Sequence, residues 1–150
     1  QTTTGSLANL QAVARGDLEM GLSPADAASW AFSGTGPFAG QEALPQLRAI
    51  ARLYPAAIHL VTRAGSTING VSDLRGKKVG IGEQGSATAA TAKLVLSAHG
   101  VRWSSVRLRY LNFTVITEAL ATAKIDAMFM IGGVPILALE DLQSRYCETG

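Results

Sequence analysis

The sequence has few of the groups that metal, redox or disulfide chemistry requires. Among 150 residues there is one cysteine and there are two histidines. Cys147 has no second cysteine to pair with inside the chain. His59 and His99 lie far apart with no second thiol near either, which argues against a zinc site. We therefore expect no metal and no cofactor.

Long hydrophobic runs are also missing. No apolar stretch approaches the roughly 18 residues of a membrane span. Residues 1–4 have neither the basic start nor the apolar core of a secretory signal. We expect either that a signal was removed or that the chain begins inside a larger protein.

Charged and aromatic residues are sparse, at 16% and 6% of the chain, and the formal net charge is only +2. The hydrophobic share of 47% is typical of a globular chain, and the length allows one ordinary domain or two small lobes. Two basic groups occur, without the interleaved aromatic residues of a nucleic-acid surface: Arg75, Lys77 and Lys78, and the looser set Arg102, Arg107 and Arg109. We expect no nucleic-acid partner.

No catalytic set emerges from the polar residues. Ser86 has no histidine or lysine at a local spacing that would activate it. Gly80, Gly82 and Gly85 formally match the GxGxxG dinucleotide pattern. Ser104 and Ser105 stand where that pattern needs an acidic residue for the ribose, so the match does not predict nucleotide binding. We predict a protein that is not an enzyme.

Hydrophobic periodicity predicts alternating helices and strands. Helices are predicted over residues 6–15, from 24 to about 31, 71–74, 86–99, 114–123 and 136–146. Strands are predicted over residues 18–22, 47–54, 58–63, 77–82, 106–111 and 125–131. The last of these is a nearly continuous apolar run, typical of a strand buried on both faces. The alternation predicts an α/β fold with mostly parallel sheets.

Several polar residues have predicted local roles. Ser6 and Ser23 are predicted helix caps, with Pro24 at the first helical position. His99 is expected at a helix C-terminus. Asp126 is expected to accept hydrogen bonds from the backbone or from Lys124. His59, in the middle of a strand, is expected to be packed or hydrogen-bonded in the core.

The most informative stretch is Gly85, Ser86, Ala87 and Thr88, which joins a predicted strand to a predicted helix. The first N–H groups of a helix lack partners inside the helix and carry partial positive charge, so such a turn suits a carboxylate or phosphate. The alternative is an ordinary cap, in which Ser86 bonds a backbone N–H and nothing binds. Both interpretations remain open at the level of the sequence.

Small residues begin four of the predicted helices. They are Thr4-Gly5-Ser6, Ser23-Pro24, Gly85-Ser86 and Gly133-Val134-Pro135. In an open α/β sheet, helix starts gather at the carboxyl ends of the strands, where ligands bind. Four starts around one cleft could hold a small acid through backbone N–H groups, although turns of this kind occur in any α/β protein.

The ordered motifs resemble the TAXI family of solute receptors, which serve tripartite ATP-independent periplasmic (TRAP) transporters. The resemblance covers essentially the whole chain. Six groups of residues carry it: Thr4-Gly5-Ser6 with Asn9, residues 16–23 with Asp26, Leu53-Tyr54-Pro55 with residues 59–61, residues 73–79, residues 85–88, and residues 125–129 with Gly132, Gly133 and Pro135. The segment 73–79 alone is shared by many type 2 periplasmic binding proteins, and the combination is more specific.

The resemblance implies a type 2 periplasmic-binding-protein-like fold of two small lobes that closes on a small carboxylate, such as an amino acid or dicarboxylate. The TRAP permease would then accept that solute. One lobe would contribute Gly5, Ser6, Asn9, Ser23 and Tyr54, and the other Gly85, Ser86, Ala87, Thr88, Gly132 and Gly133. From its neighbours alone, Tyr54 beside Pro55 is equally consistent with packing.

Members of the family are longer than this chain, which therefore resembles a central fragment or a shortened homologue, incomplete at both ends. We expect a partial first lobe over residues 1–64, a connection over residues 65–76 and a partial second lobe over residues 77–150. An open sheet edge could pair with a second copy. The alternative function is a ligand-sensing effector domain or an enzyme lobe on the same fold.

Overall fold

The computed structural model describes residue 3 and residues 5–147, so Thr4, in the first predicted helix start, lies outside the described residues. Five α-helices occupy this part of the chain: α1 Ser6–Arg15, α2 Ala25–Ser33, α3 Ala87–Ala98, α4 Phe113–Ala121 and α5 Leu137–Cys147. The strands are β1 Ala57–Thr62, β2 Lys78–Gly80, β3 Arg107–Arg109 and β4 Ala127–Gly132. Short 3-10 turns lie at Gly36–Phe38, Val71–Leu74 and Trp103–Ser105.

All four strands join one sheet in the order β1-β4-β2-β3. β2 is parallel to β3 and to β4, whereas β1 is antiparallel to β4, with Ala57 opposite Gly132. The predicted α/β class is confirmed. The described residues, however, form one sheet, and that sheet combines parallel and antiparallel strand pairs. β1 precedes the predicted connection at 65–76 and yet pairs with β4 beyond it. The sheet therefore shows no boundary at residues 65–76, and the division into two lobes stays a prediction.

Helices cover both faces of the sheet. On one face α3 packs through Ala92 and Leu96 against Val79 and Phe129, and all four side chains are at most 1% exposed. On the other face α4 and α5 cover Met128 and Met130. The complete burial of β4 from Ala127 to Met130 confirms the prediction of a strand covered on both faces. None of the helices in the described part of the chain combines the length and apolar character that crossing a membrane requires.

The two N-terminal helices pack on the start of α3. A small cluster joins Leu10 of α1 and Ala27 of α2 to Ala87 at the first turn of α3. The Thr91 hydroxyl of α3 also donates to Asp26 Oδ2 at 3.1 Å. The start of α3 is thus held between the sheet and the N-terminal helices.

The predicted strands at 18–22 and 47–54 are wrong. Both segments lack a strand partner in the structure, and most of their large apolar side chains face solvent: Met20 is 70% exposed and Ile50 is 84% exposed. Alternation of apolar and polar residues predicts a half-buried strand only if a neighbouring strand and a core face are available. Among the described residues, neither segment has them.

The helix ends differ from the prediction at two serines. Gly5, not Ser6, occupies the N-cap of α1, and Pro24, not Ser23, occupies that of α2. His99 is the C-cap of α3, as predicted, and its Nδ1 lies 2.8 Å from Val95 O. The predicted role of Asp126 is confirmed, since its Oδ2 accepts the Lys78 N–H at 2.8 Å.

Candidate functional site

The loop that leaves β2 closes tightly beneath the first turn of α3. Gly82 has a φ of +79°, and a Cβ placed on it would lie 3.0 Å from Ser86 Oγ and 3.0 Å from Thr88 Cβ. Both the conformation and the space therefore require glycine at this position. The loop is also tied to the sheet, because Leu111 N donates to Gly82 O at 3.1 Å.

Ser86 is the N-cap of α3, and its Oγ accepts the Ala89 N–H at 3.1 Å. Its own N–H donates to Glu83 O at 3.1 Å, so Ser86 has no backbone donor to offer a ligand. The N–H groups of Ala87 and Thr88 are different, because within the described residues no acceptor receives them. The cap is confirmed, and two donors at the positive end of the helix dipole stay available.

The turn that precedes these donors is open at Gly85. This residue has a φ of +78°, and a Cβ placed on it would meet no heavy atom within 4 Å. A ligand can therefore approach the backbone closely here. Ala87 and Thr88 themselves are buried, at 5% and 7% exposure, so their amides lie in a partly dehydrated setting where hydrogen bonds to an anion are strong.

The start of α1 meets the start of α3. Gly5 has a φ of 134° and a ψ of −174°, a region open essentially only to glycine, and a Cβ placed on it would lie 3.6 Å from Ser86 Cα. Asn9 organises the neighbouring segments: its Nδ2 donates to Leu22 O at 2.8 Å, and its Oδ1 accepts from the Thr3 hydroxyl. The structure thus brings the predicted residues Gly5 and Ser86 together, with Asn9 behind them.

Tyr54 and Gly133 form a second contact between predicted site residues. A Cβ on Gly133 would lie 3.0 Å from two ring carbons of Tyr54. The ring is 62% exposed, so it lies against the glycine backbone without entering the core. It forms one wall of a cleft of about 540 Å³, the Tyr54 cleft, lined by Tyr54, Pro55, Ala56, Ala57, Gly133, Val134 and Pro135.

A smaller cleft of about 340 Å³, the Trp30 cleft, lies beside the start of α3. Trp30 and Tyr110 supply its aromatic walls, and Lys93 the cation among its lining residues. The complete lining is Leu7, Trp30, Gly36, Pro37, Gln84, Gly85, Ser86, Ala89, Ala90, Lys93, Leu94 and Tyr110.

Both clefts belong to the same edge of the sheet. β2, β3 and β4 are parallel and end at this edge, and β1 begins here because it runs antiparallel to β4. The Gly82–Ser86 loop follows β2, Tyr110 follows β3, Gly133 follows β4, and Tyr54 precedes β1. This carboxyl edge is where open α/β sheets bind ligands.

Three predicted site residues have a less direct place. Ser6 is the first residue of α1, and Ser23 Oγ donates to Pro24 O at 3.0 Å. Gly132 ends β4, and a Cβ there would lie 3.2 Å from Ile136 Cδ1. Among the described contacts, neither serine touches Ser86 or Tyr54, so their part in binding stays a prediction.

Sequence reasoning missed Trp30 and Tyr110 as cleft residues. Trp30 lies in the helix predicted from residue 24, and the distant segments that complete its cleft leave no local signal. Tyr110 could have been found, since it lies near the end of the strand predicted over residues 106–111, at the edge where ligands bind.

The described residues offer no cluster of three or more potential metal ligands. His59 of β1 lies opposite Met130 of β4. Its Nε2 is buried and has no hydrogen-bond partner among the described residues. The histidine is packed, as predicted, but the described contacts give it no carboxylate or hydroxyl with which to form a catalytic pair.

Comparison with known proteins gives the family and the fold of the chain. A model of the NMT1-like family matches residues 1–148. Among solved structures, the periplasmic sulfonate-binding protein SsuA from Methylobacillus flagellatus KT matches with a TM-score of 0.51 and 24% identity, over 59% of this chain and 25% of that one. The alkanesulfonate-binding protein SsuA from Xanthomonas axonopodis pv. citri, bound to MOPS, matches with a TM-score of 0.54 and 21% identity, over 84% of this chain and 41% of that one.

These two likenesses show the fold, which is that of periplasmic solute-binding proteins. The chain spans 25% of the length of the first of these structures and 41% of the length of the second. The predicted fold class, with an incomplete set of elements, is confirmed.

Proposed function

The chain belongs to the NMT1-like family, and on that premise we propose that it is a periplasmic solute-binding domain that captures a small carboxylate for a transporter. It is not an enzyme: it binds and releases its solute unchanged. The carboxylate is of the amino-acid or dicarboxylate type. The partner that accepts it is the permease of a TRAP transporter, in keeping with the resemblance of the motifs to the TAXI receptors.

One observation carries the proposal: the unpartnered N–H groups of Ala87 and Thr88 lie at the start of α3, next to Gly5 and the open side of Gly85. An anion placed there gains two hydrogen bonds and the favourable end of the helix dipole. The Tyr54 and Trp30 clefts, at the same edge of the sheet, then have room for the rest of the solute.

The choice of carboxylate over sulfonate rests on the small number of donors. A sulfonate presents three oxygens and a carboxylate two, and two free amides match the planar carboxylate group. The solved relatives are named for sulfonates, and sulfonate capture for an ABC transporter is the competing outcome.

Isothermal titration with pairs of acids that carry the same alkyl group on a carboxylate or a sulfonate separates these outcomes. Propionate is compared with ethanesulfonate, and β-alanine with 2-aminoethanesulfonate. We expect each carboxylate to bind at least tenfold more tightly than its sulfonate partner. Tighter binding of the sulfonates would overturn the solute class, and binding of neither kind would overturn the receptor function.

The Tyr54 cleft gives a prediction of its own. Gly133→Ala places a methyl group about 3.0 Å from the Tyr54 ring, which must move. Because the ring is exposed, the free energy of unfolding should change by less than about 0.5 kcal/mol. The affinity for the preferred acid should fall about threefold to tenfold, measured by titration calorimetry. An unchanged affinity would remove Tyr54 from the binding site.

Gly70→Ala is a suitable control for this variant, because a Cβ there has open space and the backbone is extended. Gly65→Ala is not suitable, because Gly65 has a φ of +72°.

We also propose that two copies associate through β1. It is an edge strand without a charged residue, and Ile58 within it is 50% exposed. Natural edges of this kind usually carry charges or proline to prevent pairing. Light scattering after gel filtration should show a dimer that becomes monomeric in Ile58→Lys. A monomer at every concentration of the unmodified chain would contradict this association.

A further inference from the structure

The opposite edge of the sheet has a different character. From Gln84 to Thr117 the sequence holds no aspartate or glutamate, yet it contains Lys93, Arg102, Arg107 and Arg109. β3 lies within this stretch and forms the edge next to β2. Such a long acid-free stretch in a chain of net charge +2 concentrates positive charge on one surface.

The fold adds further cations to this edge. Gly76 N donates to Ser105 O at 2.7 Å, and Arg107 N donates to Lys77 O at 2.8 Å, which brings residues 75–78 beside β3. The Arg75 guanidinium also reaches Gly100 O at 3.1 Å. We define the β3 rim by the cations that gather here: Arg75, Lys77, Arg102, Arg107 and Arg109.

The positive charge of the rim is not neutralised by salt bridges among the described residues. The one ion pair among the described residues joins Arg15 to Asp17, away from this edge. Two acids in segments beside the rim are occupied by backbone groups: Asp73 accepts from Asn69 N and Gly70 N, and Asp126 accepts from Lys78 N. Except for half-buried Lys77, the rim side chains are exposed.

The backbone of β3 has open hydrogen-bonding groups on its outer side, except at the Leu108 carbonyl, which the Arg109 side chain occupies. Arg107 N donates to Lys77 O and Arg109 O accepts from Ile81 N, so these two residues direct their peptide groups toward β2. In a parallel ladder the intervening residues, Leu108 and Tyr110, direct theirs away from the sheet. Arg109 Nη1 donates to Leu108 O at 3.0 Å, which places the guanidinium at the open edge.

From these features we propose that the β3 rim binds an extended acidic segment of a partner protein, which adds to the sheet as a strand beside β3. Its backbone pairs with the Leu108 N–H and with the N–H and C=O groups of Tyr110. Its carboxylates, at alternate positions, meet Arg107 and Arg109, which lie on the same face two residues apart. Arginine favours this partner because its guanidinium binds carboxylates with two parallel hydrogen bonds. The inference does not depend on the solute that the chain captures.

The test uses a blocked, fluorescently labelled peptide of alternating glutamate and valine, with its lysine–valine counterpart as the negative probe. Anisotropy should show binding of the glutamate peptide alone, weakening as salt is raised. Arg107→Gln with Arg109→Gln should lower the affinity at least tenfold. The matched control, Arg48→Gln with Arg52→Gln, removes the same charge from exposed arginines outside the rim and should change the affinity less than twofold.

Hydrogen exchange separates strand addition from simple charge attraction. The amides of Leu108 and Tyr110 should become at least tenfold more protected when the glutamate peptide binds. Equal losses in the two double variants, or binding without this protection, would overturn the proposal. Binding to vesicles of phosphatidylglycerol without binding to the peptide would also overturn it and would assign the rim to a membrane surface.

Discussion

Replacing Gly80 by alanine is expected to lower the free energy of unfolding by about 2–3 kcal/mol. Gly80 ends β2 where α4 crosses the sheet, and a Cβ on it would lie 2.5 Å from Ile116 Cγ1 and 2.6 Å from Ile116 Cδ1. Ile116 is 0% exposed, so it has no solvent into which to move. Interiors are packed too densely to absorb a methyl group at that distance without strain.

Urea denaturation measures the effect, and two further variants identify its cause. Gly70→Ala is the matched control, because a Cβ there meets nothing within 4 Å and the φ of −166° is ordinary extended backbone. It should change the unfolding free energy by less than about 1 kcal/mol. In an Ile116→Ala background, most of the Gly80→Ala penalty should disappear, since the two closest atoms are gone and only Ile125 Cδ1, at 3.0 Å, remains. The same penalty in both backgrounds would contradict this packing.

The second large effect concerns binding. Ala87→Pro should raise the dissociation constant for the preferred carboxylate between about tenfold and a hundredfold, the loss expected when a hydrogen bond to a charged group of roughly 1.5–3 kcal/mol is removed. Proline deletes the free N–H, and its ring fills the space in front of it. The local backbone tolerates the change, because Ala87 is the first helical residue and Ser86 before it is extended, with a ψ of 156°.

Ala25→Pro is the matched control for this experiment. Ala25 is the first residue of α2 and follows Pro24, which is extended with a ψ of 148°. The substitution therefore removes the equivalent N–H from a helix start that lines neither the Tyr54 cleft nor the Trp30 cleft, and the affinity should change less than twofold. Calorimetric titration of both folded variants gives the comparison. Equal affinities for Ala87→Pro and the unmodified chain would move the anion away from α3.

The sequence predicted those elements whose signals are local. The Ser6–Arg15 helix ends at Gly16, which adopts the left-handed conformation that a helix stop requires. The apolar run of β4 and the strand–turn–helix around Ser86 were also predicted, because burial on both faces and a capping serine each have a recognisable pattern.

The failures have a common physical reason: they depend on partners elsewhere in the chain. Residues 18–22 and 47–54 alternate like strands, but no neighbouring strand accepts them in the described structure. The antiparallel pairing of β1 with β4 likewise cannot be read from either strand alone. β1 consequently lies in the sheet that was assigned to the other lobe.

The same distinction holds for the candidate site. Residues 85–88 were interpreted either as an anion site or as an ordinary cap formed by Ser86. The structure shows that its N–H is occupied by Glu83 O, at 3.1 Å, which leaves the next two amides free. Family resemblance placed Tyr54 in the site, and its contact with Gly133 is a tertiary feature that sequence spacing did not reveal.

The central claim is that a carboxylate binds at the start of α3, and titration of the isotope-labelled chain followed by amide NMR tests it most directly. As the preferred acid is added, the Ala87 and Thr88 amide protons should shift downfield more than those at the start of α2, and they should saturate at the calorimetric affinity. Saturable shifts that leave these two amides unmoved and gather elsewhere would contradict the account.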